Sequence, residues 1–160
     1  MVLLGLMLTL AVADGPAQDL KPFDFMGYVA GEPISPKELK KCGKGGDVSC
    51  INPLVKVSNV YVGYMLETHD YKLSTLYIDA HPNSYSALLE AFSAKYGKPC
   101  ESTTAVWRNA AGAQIDNPTL NWCFATGKLS FAKYGSRIDK MAIFYEDANK
   151  RPKPTPVINF

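Results

Sequence analysis

A chain of 160 residues, 47% of them hydrophobic, is long enough for one domain with its own core. Its formal net charge of +2, with no Lys/Arg-rich run interleaved with aromatics, argues against a nucleic-acid partner. No stretch approaches the roughly 20 apolar residues that a membrane-spanning helix needs.

Residues 2–10 form a short apolar run, and Ala11-Val12-Ala13 is a small-x-small cleavage pattern before Asp14. The pattern predicts a signal peptide over 1–13, although no Lys or Arg precedes the run; a buried N-terminal strand or helix is the alternative. One α+β domain is then expected over 14–148. Its first residues, 14–22, read as a polar arm, and 23–29 as an opening strand interrupted by Gly27. Ser35-Pro36-Lys37-Glu38 has a capping serine, a proline suited to the first helical position and a glutamate that completes a capping box. A short helix over about 36–42 follows. Lys37, Lys40, Lys41 and Lys44 make its exposed side basic, which suits either an ordinary solvated face or an acidic partner. Gly43–Gly46 lacks the strand-before, helix-after setting of a phosphate-binding loop and reads as a turn closed by a disulfide.

Four cysteines, an even number, point to disulfides in an oxidising compartment, periplasmic or outside the cell. Three pairings are available. Cys42 with Cys50 and Cys100 with Cys123 is the favoured set, the second tying the end of a helix to a later strand. Neither the cysteine spacings nor His69 and His81 give the close pairs of a zinc site.

The central unit runs from 60 to 100. Val60, Val62, Tyr64 and Leu66 alternate along one strand (60–67), and Leu76, Ile78 and Ala80 along a second (72–80). Tyr85, Leu88, Leu89, Phe92 and Tyr96 then fall at helical spacing, predicting a long helix over about 83–96. Pro82-Asn83-Ser84 offers a capped start, Gly97 a left-handed end and Pro99 a stop. After Cys100 the chain is polar to Ala105, with a brief strand at 106–108 and a loop over 109–118. Three alternations follow: Leu120, Trp122 and Phe124; Leu129 and Phe131; Met141, Ile143 and Tyr145. From Asn149 a tail with Pro152, Pro154 and Pro156 reads as extended and outside the sheet. The class expected is therefore α+β: an antiparallel sheet of meandering strands, the long helix packed on one face, and the short N-terminal helix. One tension remains open. Cys123 sits between Trp122 and Phe124, so either the aromatic face is a second buried or binding layer, or the disulfide lies at the sheet's edge.

Chemistry is sparse. Asp79, His81 and Ser84 are hydrolase-triad residue types at a strand-to-helix junction, yet no Gly-x-Ser-x-Gly elbow accompanies them. Capping is the reading preferred for His81, so no catalytic residue, cofactor or metal is expected. Asp139, Glu146 and Asp147 are of calcium-ligand type without a calcium-loop pattern. Tyr61, Met65 and Tyr77 fall on the strand face opposite the apolar one and define a candidate binding surface, with Trp107 and the lysines 37, 40, 41 and 44 as further candidates. The first helix or the Pro-rich tail is the alternative occupant of that face.

Phe23-Asp24-Phe25-Met26-Gly27, the Cys42…Cys50 loop, Tyr96-Gly97-Lys98-Pro99 and Asn121-Trp122-Cys123 together make a layout that resembles small secreted bacterial proteins of uncharacterised function. The helix-then-disulfide-loop arrangement is also similar to beta-lactamase-inhibitor-like repeats and to small outer-membrane assembly lipoproteins, from which the chain departs by lacking a lipobox cysteine. The resemblance transfers no functional residue. The expectation is a non-enzymatic exported protein that binds an unknown protein partner, in its sharpest form an inhibitor. The alternatives are a structural envelope component on anionic surface polymer, or a small hydrolase around His81.

Overall fold

The computed structural model describes residues 20–108 and 112–149. The leader expected over 1–13 and the tail beyond Asn149 lie outside them. The α+β assignment is overturned: the described residues are 49% strand and 15% helical, with two short helices and a large antiparallel sheet. The long helix expected over 83–96 is twelve residues, α2 (Tyr85–Tyr96), and α1 is a single turn, Pro36–Leu39. Geometry explains why helix cannot dominate. Twelve helical residues span about 18 Å, whereas seven strands side by side make a sheet about 29 Å wide. One face of such a sheet needs more than this helix to cover it.

The strands are β1 (Asp24–Phe25), β2 (Tyr28–Val29), β3 (Ser49–Val57), β4 (Val60–His69), β5 (Lys72–Asp79), β6 (Glu101–Arg108), β7 (Gln114–Phe124), β8 (Gly127–Ala132) and β9 (Ala142–Asp147). The first two form a small hairpin, turned by Met26 and Gly27, both at positive φ. The other seven form one sheet in the order β3-β4-β5-β9-β8-β7-β6, every neighbour antiparallel. The topology is two meanders, each starting at an outer edge and working inward, that meet where β5 pairs β9. Each meander is entered the same way, through a short helix and a disulfide-linked segment. Cys42 just after α1 is joined to Cys50 in β3, and Cys100 just after α2 to Cys123 in β7.

Two segments differ from the sequence reading. The extended pieces around Asn52-Pro53 are one strand, β3, with a bulge between Asn52 and Val55 that absorbs the irregularity. The polar stretch 101–105 and the brief strand at 106–108 are the eight-residue β6, and the loop expected over 109–118 gives way to β7 at Gln114. Strand β6 is an outer edge, exposed along almost its whole length. A strand with water on both faces has no reason to alternate apolar and polar residues, so its sequence carries no strand signature.

One face of the sheet carries the core. Val62, Leu66, Leu76, Ile78, Trp122, Leu129, Phe131, Ile143 and Tyr145 are all buried there. Helix α2 covers the β7–β8 side with Leu88 and Phe92, the Phe92 ring lying 5.4 Å from Phe131 and 6.3 Å from Trp122. The arm before β1 covers the middle: Phe23 stacks on Tyr145 with centroids 4.0 Å apart. Leu39 of α1 joins the same core. Polar locks fix these layers. The Trp122 indole donates to the Gly97 carbonyl at 2.9 Å, tying the end of α2 to β7, and the Tyr96 hydroxyl donates to the Asp24 carbonyl at 2.6 Å. Gly97 ends α2 at φ 80°, its N–H bonded to the Ser93 carbonyl.

The tension at Cys123 is resolved by register. Trp122 and Phe124 point into the core, and Cys123 points to the other face on the strand next to the edge, where Cys100 meets it. The disulfide lies at the sheet's edge.

Burial raises the phenol pKa of Tyr64 to about 12, helped by the neighbouring Tyr28, and that of Tyr145 to about 12; Tyr96 is raised further, by burial and by Asp24. A raised phenol holds its proton more tightly folded than unfolded. Stability from these groups is therefore intact below the ordinary tyrosine value of about 10 and is lost as pH rises from there through about 12. Thermal melts followed across that range should show the melting temperature falling steeply above pH 10, together with a rise in tyrosinate absorbance on unfolding.

Candidate binding surface

The second face of the sheet is bare of helix and hairpin among the described residues. Helix α2, the β1–β2 hairpin and α1 all pack on the core face, so no described helix or hairpin covers its opposite. Register places one row of side chains across that bare face. Ile51 on β3 pairs Met65 on β4, Met65 pairs Tyr77 on β5, and Tyr77 pairs Phe144 on β9. The row then turns polar: Phe144 pairs Ser130, Ser130 pairs Asn121, and Asn121 pairs Glu101. Its first half is four apolar side chains at adjacent-strand spacing, with Ile51 83% exposed and the rest half-buried. Tyr61, 66% exposed, stands two pairs along β4. Between it and Met65 is Gly63, where an added Cβ would meet nothing within 4 Å. The surface is thus a notch at Gly63 bounded by a tyrosine and a methionine.

The polar half is internally satisfied. Asn121 donates to Glu101 at 3.0 Å and accepts from the Ser130 hydroxyl at 2.7 Å, while Lys128 lies 3.8 Å from Glu101. Such a network rigidifies the face without presenting a reactive group.

The sequence-derived candidates separate into three places. Met65 and Tyr77 are direct cross-strand partners, with Tyr61 nearby on β4. Trp107 is remote from them, on β6, its ring 6.1 Å from Tyr134. Lys37, Lys40, Lys41 and Lys44 are exposed on and after α1. Ile51 and Phe144 were not singled out by sequence. Phe144 lies in the run Ala142-Ile143-Phe144-Tyr145, apolar at every position, so periodicity says nothing of which face it takes.

The triad residue types do not converge. The His81 imidazole accepts from the Asn83 N–H at 3.2 Å and caps the 3₁₀ turn Pro82–Ser84, the capping role preferred for it from the sequence; the Ser84 side chain makes no cap bond. Asp79 pairs with Lys140 at 3.2 Å. Arg137 grips Asp139 through two bonds of 2.9 and 2.7 Å and lowers its carboxyl pKa, while Asp147 accepts from the Asn149 N–H. Among the described residues no three His, Cys, Asp or Glu side chains gather as a metal site, and no helix is long and apolar enough to cross a membrane.

The fold and this surface define a mostly-β, doubly disulfide-linked protein whose described helices all pack on one face of the sheet. The two disulfides are consistent with an oxidising extracellular compartment. The chain matches no protein-family model, no curated protein and no solved structure.

Proposed function

We propose that the chain is an exported, non-enzymatic protein that works in the periplasm or outside the cell by binding another protein through its bare sheet face. The observation that carries this reading is the in-register row Ile51-Met65-Tyr77-Phe144, with Tyr61 beside it. Aromatic and methionine side chains on a rigid sheet face supply large apolar contact area at small entropic cost. The sharpest form of the reading is an inhibitor of a secreted or envelope enzyme, with the Gly63 notch receiving a side chain of the target.

The test is capture from envelope extract at high salt on the immobilised protein. Wild type should retain a stoichiometric partner. The Tyr61→Glu/Tyr77→Glu variant should lose it by roughly tenfold or more in affinity, as expected when central anchors of an interface are replaced. A variant of the α1 lysines should keep it. Stability should fall by about 1–2 kcal/mol, mainly at half-buried Tyr77, which loses its cross-strand pairing with Met65 and Phe144, so the comparison is made under conditions where the variant is shown to be folded. Retention by the tyrosine variant, or capture that disappears with salt in wild type, would sink the reading and favour electrostatic attachment to an anionic polymer.

A further inference from the structure

A second surface, on α1 and the loop after it, has a different chemistry. Lys37, Lys40 and Lys44 line one concavity together with Pro36, Gly43, Gly45 and Tyr71. Three lysines elsewhere are paired: Lys95 with Asp24, Lys128 with Glu101, Lys140 with Asp79. Among the described residues Lys37, Lys40, Lys41 and Lys44 have no such acidic partner. Four lysines without an acidic partner therefore fall close together, on α1 and the loop after it.

The loop beneath them is held rigidly. The Cys42–Cys50 bond closes it, Thr68 donates to the Gly46 carbonyl at 2.7 Å, and the Tyr71 N–H donates to the same carbonyl at 2.9 Å. A Cβ on Gly46 would come within 2.8 Å of the Tyr71 backbone, so only glycine allows this approach. The acid on the loop, Asp47, is already engaged: it accepts from the Asp70 N–H at 2.7 Å and lies 3.2 Å from His69. Glu38 lines a separate depression with Glu32. The N–H groups of Lys44, Gly45 and Gly46 donate to no protein acceptor among the described residues, and Gly45 has φ of +94°. Successive free N–H groups in a turn containing a left-handed residue form a concavity suited to an anion. Lysines around it add mobile point charges of the kind that hold phosphate.

We propose that this basin binds a phosphate group, using the amides of residues 44–46 and the ammonium groups of Lys37, Lys40 and Lys44. The site is independent of the bare sheet face, and its anion is carried either by a soluble phosphate compound or by a lipid headgroup.

The experiment uses the whole chain at low ionic strength. Inorganic phosphate is titrated while backbone amide resonances are followed, and vesicles of phosphatidylglycerol or of phosphatidylcholine alone are tested in parallel. The amides of residues 44–46 should shift and saturate. K37Q/K40Q/K44Q should weaken that response about tenfold, the sum of three exposed charge contacts. The charge-matched variant K56Q/K98Q/K128Q should leave it unchanged. Binding to phosphatidylglycerol vesicles that only the first variant loses assigns the phosphate to a lipid headgroup. Phosphate shifts without vesicle binding assign it to a soluble compound. Amides that stay put in wild type, or a response that both triple variants weaken equally, overturn the proposal.

Discussion

Trp122→Ala is expected to lower stability by about 3–5 kcal/mol, the usual range for removing a buried tryptophan, and to be the most damaging single truncation in the chain. The indole is 2% exposed and sits among Phe92 and Phe131 under α2. Its removal leaves a cavity between helix and sheet and also strips the Gly97 carbonyl of its donor at the end of α2. Trp122→Phe separates the two effects. It keeps most of the packing and should cost about 1–3 kcal/mol, mainly for the unbonded carbonyl. Urea unfolding of both variants checks the ordering; a loss under about 1 kcal/mol for Trp122→Ala would mean that α2 does not depend on β7 for its seat.

Loss of the Cys100–Cys123 bond comes next. It closes a span of 23 residues containing all of β6, a strand that is exposed along nearly its whole length and has little burial of its own. Chain entropy alone assigns such a loop about 3.5 kcal/mol, against about 2.6 kcal/mol for the shorter Cys42–Cys50 loop. The Cys100→Ala/Cys123→Ala variant should therefore unfold at lower denaturant than Cys42→Ala/Cys50→Ala. Hydrogen exchange should also locate the earliest local opening in β6. The reverse order would show that the edge strand is held by its ladder with β7 rather than by the cross-link.

Trp122 also shows what was legible in the chain. Trp122 and the neighbouring Phe124 could be placed on one strand face by alternation, yet whether that face was core or surface stayed open until the sheet was assembled. The stripe Leu88-Leu89-Phe92-Tyr96 and the stop at Gly97 located α2 because a helix is defined by contacts three and four residues apart. The same holds for most of β4, where the alternation of Val60, Val62, Tyr64 and Leu66 is enough. It fails for β6, whose two wet faces leave no alternation, and for β3, where the bulge after Asn52 breaks it.

The bare face follows the same logic. Tyr61, Met65 and Tyr77 could be put on the non-core side by parity, but Ile51 and Phe144 joined them only through register, and register is a property of pairs of strands. For the lysine basin, sequence supplied the charges and the glycines, while their convergence with Tyr71 depends on the β4–β5 turn folding back onto the loop.

The sequence by itself therefore determined those local elements whose residues alternate or repeat at helical spacing, which residues share a face within them, and a cysteine content suited to an oxidising compartment. Only the tertiary structure decided that the protein is mostly β, because its class rests on β9 inserting between β5 and β8 to join two meanders into one sheet. That pairing brings together residues some seventy positions apart, such as Tyr77 and Phe144, through backbone groups that every residue carries alike. Hydrogen bonds that do not depend on side-chain identity leave no mark in the sequence, and the surface proposed for binding is built on them.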